Sequence, residues 1–228
     1  MPNLTFVQTA DGSQTIFNPE VGENYHSRHG ALQESRHVFV HSGLEHYLEN
    51  SGLAKASILE VGFGTGLNFL LTADFSLEHR IAVEYTGIEA YPLQFDMISK
   101  TGYDQYISAN TWDRFLSEYK ASFDQPVGLS DHCMLNIAEC KLEDFRSHQK
   151  FDVIYFDAFA AVHQPEMWTD EALAHVCSFL KPGGVFVTYA ITGNLKRTMK
   201  ALGFSIEKAP GAPGKREMLR ATKNTVLV

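Results

Sequence analysis

The spacing of apolar residues divides the chain into a short irregular start and a long regular body. Between residues 4 and 17, "LTFVQTADGSQTIF", apolar and polar residues alternate on both sides of Asp11-Gly12, a tight-turn pair, and predict a β-hairpin. "GALQESRHVFVHSGLEHYLE" then places Leu32, Val38 or Phe39, Leu44 and Leu48 at helical spacing, interrupted by Gly43. From residue 53 strand and helix patterns alternate. "ASILEVG", "IAVEYTGIEA", "HCMLNIAEC", "FDVIYFDAF" and "VFVTYA" read as strands. Between them lie helical "GLNFLLTADFS", a helix from Pro92 onward, the short "KLEDFRSH", and "TDEALAHVCSFL" with Thr169 as N-cap. Pro182-Gly183-Gly184 predicts a turn. The helix "LKRTMKALG" and two strands, "SIEKAP" and "REMLRATK", close the pattern around the loop "PGAPGK".

This alternation implies right-handed crossovers and an α/β fold whose mostly parallel sheet is covered on both faces, with an antiparallel C-terminal hairpin at one edge. A boundary near residue 52 separates an N-terminal hairpin and helix extension, residues 1–52, from an α/β core, residues 53–228. At 228 residues the chain is long enough for one domain with a buried core.

No run of about 18 apolar residues exists, so no membrane span is expected. The start "MPNLTFVQTADG" lacks the basic-then-apolar order of a signal peptide. Cys133, Cys140 and Cys177 are odd in number and form no CxxC pair, which suits a reducing cytoplasm. The net charge of -8 is unevenly spread. From Lys181 onward nine basic residues face only Glu207 and Glu217, leaving that segment about +7 and the rest about -15. An acidic body with a basic C-terminal quarter can hold an anionic partner on one face, or simply present a solvated surface.

The chemistry concentrates at two strand ends. "LEVGFGTGLNF" puts Glu60 ahead of Gly62, Gly64 and Gly66. A dinucleotide fingerprint needs its third glycine at position 67, where Leu67 stands. The spacing resembles instead the first motif of Rossmann-like, class I methyltransferases, which bind S-adenosyl-L-methionine. Glycines let backbone lie against a cofactor, Glu60 is suited to a cationic methionine amine, and a pyrophosphate would be repelled there. Glu89 closes the next strand, where a ribose diol is held, and in "NIAEC" either Glu139 or the adjacent backbone is placed for the adenine edge. The strand "FDVIYFDAF" ends in Asp157, aimed at the same crevice. A carboxylate there can orient an attacking amine and take its proton, or merely cap a loop.

Together "EVGFGTGLNFLLT", "FDAFA" followed by "PEMWT", "GKREML" and "YHSRHGALQESRHVF" resemble the methyltransferase module of the bacterial tRNA 5-methylaminomethyl-2-thiouridine biosynthesis enzymes, the MnmC type, over roughly residues 6–222. The resemblance implies transfer of a methyl group from S-adenosyl-L-methionine to the amine of wobble 5-aminomethyl-2-thiouridine. It implies Glu60, Gly62, Gly64, Gly66, Glu89 and Tyr25 around the cofactor, joined by Glu139 from the strand reading, and Asp157 at the amine. Glu34, Met167 and Trp168 would bound the substrate pocket, although core packing explains Trp168 equally well. Lys215 and Arg216 would contact tRNA phosphates, and the charge pattern adds Lys196, Arg197 and Lys200 on one predicted helix to a surface expected to meet tRNA near the anticodon. In that family an FAD-dependent oxidase follows the module. A stand-alone chain is expected here, in the cytoplasm, with a separate oxidase acting upstream. Two other readings stand beside it: an aminopropyltransferase or small-molecule N-methyltransferase of the same fold, and a non-catalytic binding module. The histidines at 26, 29, 37, 41 and 46 form no HExxH motif, and no metal is expected.

Overall fold

In the computed structural model, which describes residues 3–225, the chain begins with a small antiparallel sheet of β1 (Thr5–Gln8), β2 (Gln14–Asn18) and β3 (Glu23–Asn24). Asp11 fixes the hairpin turn by accepting from the Ser13 N–H and the Thr9 and Ser13 hydroxyls. Residues 31–51 form one unbroken helical rod: α1 (Ala31–Ser35), a π-helical segment Arg36–Glu45, and α2 (His46–Ser51). Gly43 does not interrupt it. The rod presses flat on the main sheet there, and a Cβ on Gly43 would lie 2.9 Å from the Tyr155 ring and 3.0 Å from Val187.

The main sheet, among the described residues, has the order β10-β11-β9-β8-β4-β5-β7-β6. Its central strands β4 (Lys55–Val61), β5 (Ala82–Glu89), β7 (Cys133–Glu139), β8 (Phe151–Phe156) and β9 (Leu180–Thr188) pair in parallel. β6 (Val127–Gly128) pairs antiparallel with β7 at one edge. At the other edge lie β10 (Phe204–Pro210) and β11 (Glu217–Lys223), with β11 inserted antiparallel between β9 and β10. Every residue of β8, and all of β4 after Lys55, is buried, as continuous apolar runs in parallel strands require. From β4 the chain winds outward to β5 and β7, then returns to β8 on β4's other side. The strand order therefore reverses between β4 and β8, and the crevice beyond their carboxyl ends is where open α/β sheets bind ligands.

The helices are α3 (Leu67–His79), α4 (Phe95–Ile98), α5 (Ala109–Glu118), α6 (Asp170–Ser178) and α7 (Gly193–Ala201). Thr169 caps α6 by accepting from the Ala172 N–H at 3.1 Å. Four sequence expectations change. The helix after Pro92 is only the single turn α4, and the regular helix of that region is α5, capped by Ser108. "KLEDFRSH" makes only a 3₁₀ turn, Leu142–Asp144, after which Arg146 donates to the carbonyls of Glu143 and Phe145. One face of β5 and β7 consequently stays uncovered, leaving Glu84 and Met134 exposed. Pro182–Gly184 forms a bulge within β9, not a reversal, since pairing shifts from Phe151↔Leu180 to Val153↔Val185.

The N-terminal segment shares its core with the sheet: Ile16, Leu32, Val38, Phe39 and Leu44 are buried in the same cluster as Ile58, Phe69 and Tyr155. At the far end of the sheet, Asp152 accepts from the Tyr47 hydroxyl, Ser57 and Lys181, tying the helical rod to β4 and β9.

Candidate active site

Gly62, Gly64 and Gly66 form the bend from β4 into α3, each with positive φ. At Gly62 (φ 84°) a Cβ would stand 2.6 Å from the Asp157 carbonyl oxygen, so only glycine lets these strand ends meet. Gly64 lies beneath Tyr25, whose ring would be 2.9 Å from an added Cβ. The loop is held from both sides. Thr65 accepts from the Tyr103 hydroxyl at 3.0 Å and lies 2.8 Å from His26 Nε2. Burial lowers His26 to about 4, so its ring is neutral at pH 7.

Glu60 does not face the crevice. It is completely buried, and its two oxygens accept from Asn68 Nδ2 and the Tyr85 hydroxyl, both at 2.8 Å. Burial drives its carboxyl well above the ordinary range, opposed by those hydrogen bonds. The group between Glu60 and the crevice is Asn68, which the sequence reading passed over. Its Nδ2 also donates to Asp157 Oδ2 at 2.7 Å. Two carboxylates around one nitrogen fix the orientation of the amide, because reversing it would set oxygen against oxygen. Asn68 Oδ1 is left buried without a donor. The available signal was a single polar residue in the first turn of the apolar helix "GLNFLL".

Glu89 stands at the end of β5. Its oxygens accept from the Gly64 N–H at 2.8 Å and the Tyr91 N–H at 3.0 Å, leaving further lone pairs for a diol. Burial raises its carboxyl against these two contacts. Glu139 is exposed at the end of β7, opposite Glu89 in the pairing register.

Beyond Asp157 opens a cavity of about 200 Å³, between the N-terminal segment and the strand ends. Three carboxylates, Glu23, Glu34 and Asp157, and three aromatic rings, Tyr25, Phe159 and Tyr189, define its lining. Tyr25 stacks edge-on against Phe159, with centroids 5.2 Å apart. Asp157 is raised to about 8, first by burial and then by the charge of Glu34. Glu34 is buried and bound to Lys215 Nζ at 2.6 Å.

Lys215 therefore sits inside this cavity, not on the open surface expected for a phosphate contact, because Glu34 and the Tyr189 ring hold its ammonium. Met167 and Trp168 do not line the cavity. Trp168 packs edge-on against Phe156 and donates to the Phe159 carbonyl at 2.8 Å, so it supports the wall from behind. Lys196 on α7 is half-buried, and Arg197, Lys200 and Arg216 are exposed. Among the described residues no cluster of three or more His, Cys, Asp or Glu is placed to hold a metal, and no helix is long and apolar enough to cross a membrane.

The residues fit S-adenosyl-L-methionine. The loop offers close backbone, Glu89 offers acceptors for a diol, and the orphaned Asn68 Oδ1 offers a buried acceptor for an amine. Comparison with known proteins agrees. The chain is 32% identical over 216 residues to the tRNA 5-methylaminomethyl-2-thiouridine biosynthesis bifunctional protein MnmC of Leptospira interrogans, covering 90% of this chain and 33% of that protein. It is 30% identical over 239 residues to the protein of the same name from Magnetococcus marinus, covering 96% and 34%. The chain thus spans about a third of the length of these curated relatives. The crystal structure of MNMC2 from Aquifex aeolicus superposes with a TM-score of 0.77 at 24% identity, over 99% of this chain and 72% of that one, and establishes the fold as Rossmann-like. The comparisons do not favour an aminopropyltransferase. Residues 106–224 match the family described as S-adenosyl-L-methionine-dependent methyltransferase, and the chain belongs to that family.

Proposed function

We propose that this enzyme methylates the primary amine of wobble 5-aminomethyl-2-thiouridine in tRNA, giving 5-methylaminomethyl-2-thiouridine. The observation that carries the reading is the cavity at Asp157, where acidic groups and aromatic faces surround a space open to the strand ends. Such a lining suits a nucleobase bearing a basic amine. The names of the related proteins point to the same nucleoside. S-adenosyl-L-methionine supplies the methyl group as a sulfonium electrophile.

The chain's own residues position the amine and manage its proton. Asp157 takes a proton from the ammonium, freeing the lone pair that forms the new N–C bond. With its affinity raised to about 8, Asp157 lies nearer to an amine than an ordinary carboxylate does, which eases the transfer. Asn68 holds the carboxylate still. Tyr25 covers the glycine loop at Gly64. Residues 1–52 act here as an extension that roofs the catalytic core. The wobble base must leave its stack to enter the cavity. Lys196, Arg197, Lys200 and Arg216 offer cations to the anticodon backbone. The aminomethyl group must come from an upstream reaction, and an FAD-dependent oxidase in the cytoplasm suits it.

The test is incubation with methyl-labelled S-adenosyl-L-methionine and tRNA from a strain arrested at the aminomethyl stage, followed by nucleoside analysis. Label should appear in 5-methylaminomethyl-2-thiouridine. Label in no tRNA nucleoside, but in a small free amine, would overturn the assignment.

A further inference from the structure

We propose that Lys215 is a positioning residue of this pocket: its ammonium, clamped between Glu34 and the face of Tyr189, eases ionisation of the Asp157 carboxyl so that a larger fraction of it is free to accept a proton, and does not grip tRNA. Its use in catalysis rests on the amine-methylation reading above, but the charge effect itself does not. The geometry is specific. Lys215 Nζ is 2.6 Å from Glu34 Oε2 and 3.9 Å from the centroid of the Tyr189 ring. Glu34 is fixed in turn by the Ser27 N–H at 3.3 Å, and Tyr189 donates its hydroxyl to the Ala158 carbonyl at 2.9 Å. The backbone that delivers the lysine is also fixed. Lys215 N–H donates to the Ala212 carbonyl, Gly211 N–H donates to the Arg216 carbonyl, and Gly214 (φ 86°) packs directly beneath His29.

Charge explains why an ammonium is needed there. Asp157 is faced by Glu34 from α1, Glu23 and Arg28 from the N-terminal segment, and Glu60 on β4 through Asn68. Uncharged Tyr25, His26 and Tyr189 complete the surroundings. Acids outnumber bases, so the carboxyl at 157 tends to hold its proton, and a protonated Asp157 cannot deprotonate an amine; the Lys215 ammonium enlarges the ionised fraction. Glu34 raises the proton affinity of Asp157 and Lys215 lowers it, so the pair sets the pH at which the base becomes available. A lysine engaged this way has little ammonium left for a phosphate.

The test begins on the free protein. Label aspartate carboxyl carbons with ¹³C, identify the Asp157 signal by its loss in Asp157→Asn, and titrate by NMR. In Lys215→Met the midpoint should rise by about one unit; in Glu34→Gln it should fall; Lys215→Arg should stay near wild type. Opposite shifts from the two halves of one ion pair are not what loss of packing produces. The kcat/KM profile of Lys215→Met should move with the carboxyl. That is about a tenfold loss at pH 7, recovered on raising the pH, with the salt slope of tRNA affinity unchanged. A Lys215→Met titration that overlays wild type overturns the proposal, as does a flattened salt slope with an unmoved pH profile. Absence of methyl transfer by the wild type would instead count against the proposed function, leaving the NMR result to stand alone.

Discussion

Two carboxylates end neighbouring strands in this fold and meet opposite fates. On the β4 side, Glu60 is sealed and given one donor per oxygen, and its surroundings are those of a core. On the β8 side, Asp157 receives a donor on Oδ2 and otherwise faces a cavity where acids outnumber bases. The first arrangement is closed to a substrate and inert. The second leaves a charge poorly compensated, which costs stability and creates reactivity. Asn68 donates to both, so the rigid side sets the geometry of the reactive one.

The largest expected effect tests the reactive side. Asp157→Ala should lower kcat/KM by about 100-fold or more. Calorimetry with S-adenosyl-L-methionine should show nearly unchanged affinity, because the loop and Glu89 remain. Unaltered turnover at saturating tRNA would reduce Asp157 to a loop cap.

Asn68→Ala should damage both sides at once. Taking one of its two donors from Glu60 and the Oδ2 donor from Asp157 should cost about 1–3 kcal/mol of stability, and single-turnover rates should fall by roughly tenfold or more. Destabilisation with an intact rate would confine Asn68 to the sealed side.

The pH dependence of stability separates the two carboxylates further. In the folded state Asp157 is raised from 3.8 to about 8, so the folded protein holds a proton that the unfolded chain releases between those values. Its stabilising contribution is complete below pH 3.8 and is lost as pH rises through 8. Asp157→Asn should therefore flatten the decline of Tm between pH 5 and 9, by a few degrees at the alkaline end. Parallel Tm curves for the two proteins would show that Asp157 titrates as an ordinary surface acid.

The smallest effect concerns the exposed cations outside the cavity. Lys200→Ala and Arg216→Ala should each flatten the dependence of log K for tRNA on log salt by about 0.7–1, with kcat unaffected. Slopes equal to wild type in both would remove this surface from the tRNA interface. Much of the basic quarter is already engaged within the protein: Lys181 with Asp152, Lys208 with Glu217, Lys215 with Glu34, and Arg220 with Glu207. A charge count along the sequence cannot register such pairing.

What the sequence determined by itself was whatever depends on local spacing. The alternation of the central strands with their main helices, the glycine bend, the strand-end positions of Glu89 and Asp157, and the Thr169 cap follow from period, turn chemistry and neighbouring residues, which act over a few positions. The tertiary structure decided the rest. Glu60 carries the motif's acid, yet whether it meets cofactor or core depended on Tyr85 and Asn68 closing over it. Gly43 read as a helix interruption until the sheet beneath it explained the missing Cβ. Lys215 read as a surface cation, and 181 residues of chain separate it from the glutamate that captures it. Burial and charge pairing are properties of what arrives from elsewhere in the fold, so a residue's type can be read from the sequence while its electrostatic role is fixed only when distant segments pack.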